Sequence, residues 1–192
     1  YGGEHTVDIS AIFPDFSKDV DDPASYDFAE TDIYLWNIHS AGTGIFFRLG
    51  QRIEHNKKKY NILPPKDYKK WAKICEHIIR HYNEGWANGV KGDNIIYWEI
   101  WNEPDLDWEG DAWKTNPRTW GGSMEEFFKF YEIAAKHLKS CFPNLKIGGP
   151  ALCFNEKWAD AFLQYMSEHK VQLDFFSYHC YTNEPSEMTT RV

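Results

Sequence analysis

One stretch of the sequence holds residue types able to move a proton at a fixed place: Trp98-Glu99-Ile100-Trp101-Asn102-Glu103-Pro104-Asp105-Leu106. The apolar run that leads into it, residues 95–101, is short and rich in aromatic and β-branched side chains, which predicts a strand. Pro104 cannot continue that strand, so Glu103 falls at its C-terminal end, where parallel sheets and barrels gather reactive groups. Side chains alternate along a strand, which places Glu99, Trp101 and Glu103 on one face and Ile96, Trp98 and Ile100 on the other. A carboxyl group at such a strand end suits general acid or base work. Glu99 lies deeper and reads as structural, with Arg48 on the neighbouring strand as its expected counter-charge, because buried charges are normally paired.

Other residue combinations carry less. His77 and His81 stand four apart on one predicted helix, a spacing that can chelate zinc, but Ile78, Ile79 and Arg80 lie between them and no HExxH glutamate is present. They read as packing or surface histidines. Cys75, Cys141, Cys153 and Cys180 are scattered singly, without a CxxC pair, and read as reduced packing residues. None of the 13 glycines forms a phosphate-cradling motif, and there is no Gly-x-Ser-x-Gly elbow. No metal or organic cofactor is expected.

The elements that must position Glu103 follow from periodicity. Tyr68, Trp71, Ala72, Cys75, Ile78, Ile79 and Tyr82 recur at steps of three and four from Asp67, with Gly85 beyond, which predicts a helix. A second helix starts at Ser123, where Glu126 completes a capping box, and ends before Pro143. A third runs from Asn155 to the cationic His169-Lys170. A further helix from Phe28 feeds the first strand, residues 45–49. Strands are also predicted at residues 145–148 and 173–178. This alternation of helix and strand argues for parallel strands joined by crossovers, an α/β sheet or barrel. Residues 1–27, with Pro14, Pro23 and an acidic run, read as a loop.

Composition closes off several classes. The 192 residues carry 21 Lys+Arg against 29 Asp+Glu, a net charge of −8, so global charge gives no support for a nucleic-acid or anionic-membrane partner. No long apolar run and no signal-peptide pattern appears, so the chain reads as soluble, with its compartment unassigned. Aromatic residues make up 17%, including nine Trp, which beyond core packing suggests a ligand with flat apolar faces.

The run WEIWNEPDL, with Gly148-Gly149-Pro150 at the end of the next strand and Ser177-Tyr178-His179-Cys180-Tyr181 at the one after, resembles glycoside hydrolase family 39, which contains β-xylosidases and α-L-iduronidases of the retaining clan A. The resemblance implies a (β/α)8 TIM-type barrel with Glu103 at its fourth strand as general acid/base. It further implies that Asn102 holds the sugar 2-hydroxyl and that His179 and Tyr181 orient sugar and nucleophile. The retaining nucleophile would be a glutamate at strand seven. Counted this way, residues 1–192 form a partial barrel domain, about strands three to six, with strands 1–2 and 7–8 largely missing. Glu184 is a weak stand-in for the nucleophile. His55, following Glu54 just after strand three, reads equally as a substrate-binding residue of the site rim or as a plain loop residue, and Trp108, with Trp113 and Trp120, offers either a wall for stacking against sugar or packing for the long loop.

The expectation is thus a retaining, β-xylosidase-like glycosidase acting on oligosaccharides of plant-polysaccharide type, with a carbohydrate partner. The 192 residues alone are expected to be inactive for lack of the nucleophile. The competing expectation is a non-catalytic half-barrel that binds carbohydrate or self-associates, because open sheet edges and an exposed lumen invite association. The sugar and linkage are not fixed by these residues.

Overall fold

The computed structural model describes residues 6–55, 57–59, 61–89, 94–153 and 155–190. Short helices α1 (Ile9–Ile12) and α2 (Ala29–Ser40) precede β1 (Phe46–Leu49). Then follow α3 (Tyr68–Glu84), β2 (Tyr97–Ile100), α4 (Ala112–Thr115), α5 (Met124–Cys141), β3 (Lys146–Leu152), α6 (Glu156–Glu168), β4 (Phe176–Tyr178) and α7 (Pro185–Thr190). The expected loop over residues 1–27 therefore contains a helix, and Ile9 and Ile12 anchor it in the core.

Helix boundaries fall where local chemistry sets them. The Asp67 carboxylate accepts from the Lys70 N–H, and Gly85, at φ 81°, closes the other end of α3 in the left-handed conformation. Ser123 and Glu126 form both halves of a capping box on α5, and Asn155 caps α6.

The four strands are all parallel and lie in chain order, β1-β2-β3-β4. A doubly wound sheet reverses its strand order at a switch point, whereas a barrel adds strands sequentially. α3 packs beside α5 and α5 beside α6, so the long helices form one layer on one face of the sheet. Towards that layer point Phe47, Leu49, Trp98, Ile100 and Ile147, each at most 2% exposed. On the opposite face Phe46 and Tyr97 stack with ring centroids 5.8 Å apart and remain 53% and 44% exposed, with the Phe175 ring against both.

The aromatic excess is largely spent between sheet and helices. Trp71, Trp101, Trp120, Phe127, Phe130, Trp158 and Phe162 form a continuous chain of ring contacts, all nearly inaccessible to solvent. Core packing, rather than a ligand's flat faces, accounts for these rings. His77 and His81 are packing residues: His81 meets Asp32 and the Trp86 carbonyl, and His77 the Lys73 carbonyl. All four cysteines are free. Among the described residues no helix is long and apolar enough to cross a membrane.

A part-buried ion pair fastens the start of β3. Asp174 accepts from Lys139 Nζ at 2.8 Å and from the Ile147 N–H at 2.9 Å. Burial pushes its carboxyl up, but these hydrogen bonds, one from Gln172 and the Lys139 charge together hold it below its ordinary value. A carboxyl lowered in the folded state stabilises fully above its unfolded pKa, near ~4, and loses that contribution as pH falls through the folded value. Asp174→Asn should therefore cost about 1.5–3 kcal/mol at neutral pH, measured by urea unfolding, and the gap from the parent should narrow steadily on acidification. A gap that stays constant into acid would show that charge is not what Asp174 contributes.

Candidate active site

β2 ends at Ile100, and the chain leaves it by an irregular path that carries Glu103 to the sheet's C-terminal edge. Trp101 keeps the ladder for one more bond, its N–H donating to the Leu49 carbonyl at 2.8 Å, but its φ is 73°. Its ring turns to the helix side, donates from Nε1 to the Thr119 carbonyl and packs on Trp71 and Phe130. Trp101 therefore does not share a face with Glu99 and Glu103, because strand alternation stops where the left-handed residue begins. Glu103 is itself left-handed at φ 46°, a conformation that costs an L-residue about 1–3 kcal/mol. Bonds on both sides hold it there: its N–H donates to the Ala151 carbonyl at 2.9 Å, and its carbonyl accepts from the Thr119 hydroxyl at 2.6 Å.

Below it lies the charge network. Arg48 and Glu99 are register partners, and the guanidinium Nε donates to Glu99 Oε2, as expected from the sequence. Glu99 is only 3% exposed. Its other oxygen accepts from the Ser177 hydroxyl at 2.7 Å, across an intervening strand. That reach exists because Gly148 of β3 is the register partner of Glu99 and places no side chain between them. A Cβ on Gly148 would also lie 2.4 Å from the Phe175 carbonyl oxygen. Arg48 Nη1 donates further to Asn102 Oδ1 at 2.7 Å, and Asn102 is fully buried.

His179, at the end of β4, joins the network to Glu103. Its Nδ1 is in hydrogen-bond contact with Glu103 Oε1, while Nε2 lies 3.4 Å from Arg48 Nη2. Arginine only donates, so Nε2 is the acceptor, and neutral His179 carries its proton on Nδ1 and donates it to Glu103. Two loops are locked beside the pair. The Asp105 carboxylate accepts from the Cys153 N–H at 2.8 Å and the Asn155 N–H at 2.9 Å, which ties the loop after β2 to the loop after β3. Burial, more than the neighbouring Glu103 charge, pushes the Asp105 carboxyl up. Burial, then Glu103 and Asp105, push the Cys153 thiol up to about 11.

The structure thus brings Glu103, Asn102 and His179 together, with Arg48 beneath. The remaining sequence-derived residues do not join them. Tyr181 is 84% exposed and meets His179 only ring to ring, with centroids 6.1 Å apart. His55 is exposed on the loop after β1, and Glu184 is exposed at the start of α7. Trp108 and Trp113 are half-buried in the loop after β2, Trp108 packing against the core. Trp120 is no part of a stacking wall: it is 2% exposed, donates to the Ser123 carbonyl and sits among Trp101, Phe127 and Phe130. Two residues of the network escaped the sequence reading. Asp105 follows directly on Glu103-Pro104, a visible signal, whereas Ser177 is recognisable only once Gly148 is seen beneath it.

The family model for glycosyl hydrolases family 39 matches residues 5–192. A β-xylosidase of Geobacillus stearothermophilus is 35% identical over 133 residues, 69% of this chain and 24% of that protein. A β-xylosidase of Caldicellulosiruptor saccharolyticus is 33% identical over 66% of this chain and 23% of its own length. The chain thus spans about a quarter of the length of these curated relatives. Among solved structures, a glucosidase from Croceicoccus marinus superimposes with a TM-score of 0.78 at 33% identity, covering 94% of this chain and 36% of that one. The four-stranded parallel sheet with its helix layer is a partial (β/α)8 barrel, as expected from the sequence.

Removing one partner of a buried ion pair leaves the other charged and uncompensated. Arg48→Met should destabilise the fold by about 3–5 kcal/mol, and adding Glu99→Leu should recover most of that loss. A double-mutant cycle from urea unfolding measures the coupling, and strictly additive effects would show that the two groups do not depend on each other.

Proposed function

Because the chain belongs to glycosyl hydrolases family 39, we propose that it carries the acid/base half of a retaining, β-xylosidase-like glycosidase site for oligosaccharides of plant-polysaccharide type. The observation behind this reading is the contact of Glu103 with His179 beside Asn102, at the C-terminal ends of β2 and β4. In the first step Glu103 gives its proton to the departing glycosidic oxygen while a second carboxylate attacks the anomeric carbon; in the second it takes a proton from the water that releases the sugar. Once Glu103 is ionised, the His179 Nδ1–H stabilises Oε1 and leaves Oε2 to exchange the proton with substrate. Asn102 meets the sugar 2-hydroxyl. Arg48 holds its Oδ1 and leaves the NH2 as the donor for that contact, which strengthens in an oxocarbenium-like transition state and requires a small movement that uncovers the buried amide.

Within this reading, Glu99 is excluded as nucleophile because Arg48 and Ser177 occupy both of its oxygens. We place the nucleophile, and the barrel strands 1–2 and 7–8, outside these 192 residues. His55, Trp108 and Tyr181 are rim positions that further barrel elements would bring to a bound sugar. The specific sugar is left to loops around the rim.

Three measurements test this. In a barrel that contains this segment together with the nucleophile strand, Glu103→Gln should slow cleavage of an unactivated disaccharide by roughly 10²–10⁴-fold, and an activated aryl β-xyloside far less in its first step. Equal losses on both would argue against acid catalysis by Glu103. The 192-residue chain by itself should not hydrolyse an aryl β-xyloside; turnover with retention would mean that the nucleophile lies within it. Because Phe46 and Tyr97 expose an aromatic layer on the open sheet face, the isolated chain should self-associate with rising concentration in sedimentation experiments, and a strictly monomeric chain would overturn that expectation.

A further inference from the structure

We propose that the helix layer carries a site for a thiophilic divalent cation of the zinc class, formed by Glu76 on α3 and by His137 and Cys141 on α5. His137 and Cys141 are four residues apart, so they lie one above the other on the same face of α5. α3 packs alongside and supplies the carboxylate between them. The three ligand atoms all lie within 4.8 Å of one another. His137 Nε2 is 2.7 Å from Glu76 Oε2 and 3.9 Å from Cys141 Sγ. A tetrahedral ion with bonds of about 2.0–2.3 Å to N, O and S holds its ligand atoms roughly 3.3–3.6 Å apart. The Glu76–His137 separation must therefore open by a fraction of an ångström and the two separations to the thiol close, the Glu76–Cys141 one, which is within 4.8 Å, by about 1 Å at most. Small side-chain rotations suffice, since His137 and Cys141 are only half-buried.

The carboxylate is already oriented for the task. Arg80 Nε and Nη2 both lie 2.9 Å from Glu76 Oε1, which turns Oε2 toward the histidine and the thiol. Arg80 is itself held by Glu84 on one side and by the Phe142 ring, 5.1 Å away, on the other. Such outer partners fix ligand geometry in metal sites. Imidazole and thiolate select zinc-like ions over calcium or magnesium. With the thiol deprotonated, Glu76, Cys141 and Arg80 sum to one negative charge, which a dication reverses rather than doubles. His137 is about one-third exposed and Cys141 half-buried, so the fourth ligand of such an ion would be water. Coordination expels the Cys141 thiol proton to solvent, and the proton that His137 Nε2 donates to Glu76 leaves that nitrogen for Nδ1 or solvent, so that the neutral ring binds through Nε2.

The site joins α3 to α5 in the helix layer, whereas Glu103 sits at the sheet's C-terminal edge, so its role is to brace the layer and not to take part in hydrolysis. It is independent of the glycosidase reading. The test titrates the 192-residue chain with Zn2+ by calorimetry and with Cd2+ by its thiolate charge-transfer absorption. The proposal expects one equivalent of Zn2+ to bind and the thermal midpoint to rise with Zn2+ concentration. It also expects a Cd2+ band that persists in Cys153→Ser and vanishes in Cys141→Ser. His137→Gln, which keeps the thiol, should weaken Zn2+ binding by at least roughly tenfold while its circular dichroism matches the parent. Absence of saturable Zn2+ binding, a Cd2+ band that survives Cys141→Ser, or undiminished Zn2+ affinity in His137→Gln would overturn it.

Discussion

A carboxylate buried within a sheet has to be neutralised where it stands, and the arrangement around Glu99 is the solution on which the site rests. One oxygen takes the Arg48 guanidinium from the register-paired position on β1. The other takes the Ser177 hydroxyl from β4, which reaches over the bare backbone of Gly148. A single charge thus fixes the mutual position of all four strands, one by contributing nothing but space. Because Arg48 has donors left over, the same guanidinium continues upward to Asn102 and His179, and through His179 to Glu103. The sheet edge that carries Glu103 inherits its geometry from a counter-charge below it.

Backbone strain and hydrogen bonding divide the remaining work. Two left-handed residues, Trp101 and Glu103, let the chain turn its largest ring into the helix layer and bring its carboxylate back to the other side within three positions. Neither conformation would persist in an isolated peptide. The Leu49, Ala151 and Thr119 contacts come from three separate segments, so the fold as a whole holds the turn.

Features whose causes are local were readable from the sequence: helix starts at Asp67, Ser123 and Asn155, the presence of four strands though not their bounds, and the position of Glu103 before Pro104. The pairing of Arg48 with Glu99 was also accessible, because two charges inside apolar runs on neighbouring strands have few other partners. What escaped depends on distant segments. Strand alternation could not foresee that Trp101 departs from it, nor could loop position show that Trp120 is sealed beneath Trp101 and Phe130. The Glu76, His137 and Cys141 cluster is likewise invisible in sequence, since its ligands are supplied by two helices whose packing is set by unrelated apolar residues.

Asp105 binds the two loops that frame the carboxylate, through the N–H groups of Cys153 and Asn155, and Asn155 also caps α6. The turn bearing Glu103 and the first turn of α6 are therefore mechanically one part. Drift in sequence around the β3–α6 junction can shift the Glu103 carboxylate without altering Glu103, Asn102 or His179. The junction is thus a place from which the carboxylate can be repositioned at a distance while its immediate partners stay the same.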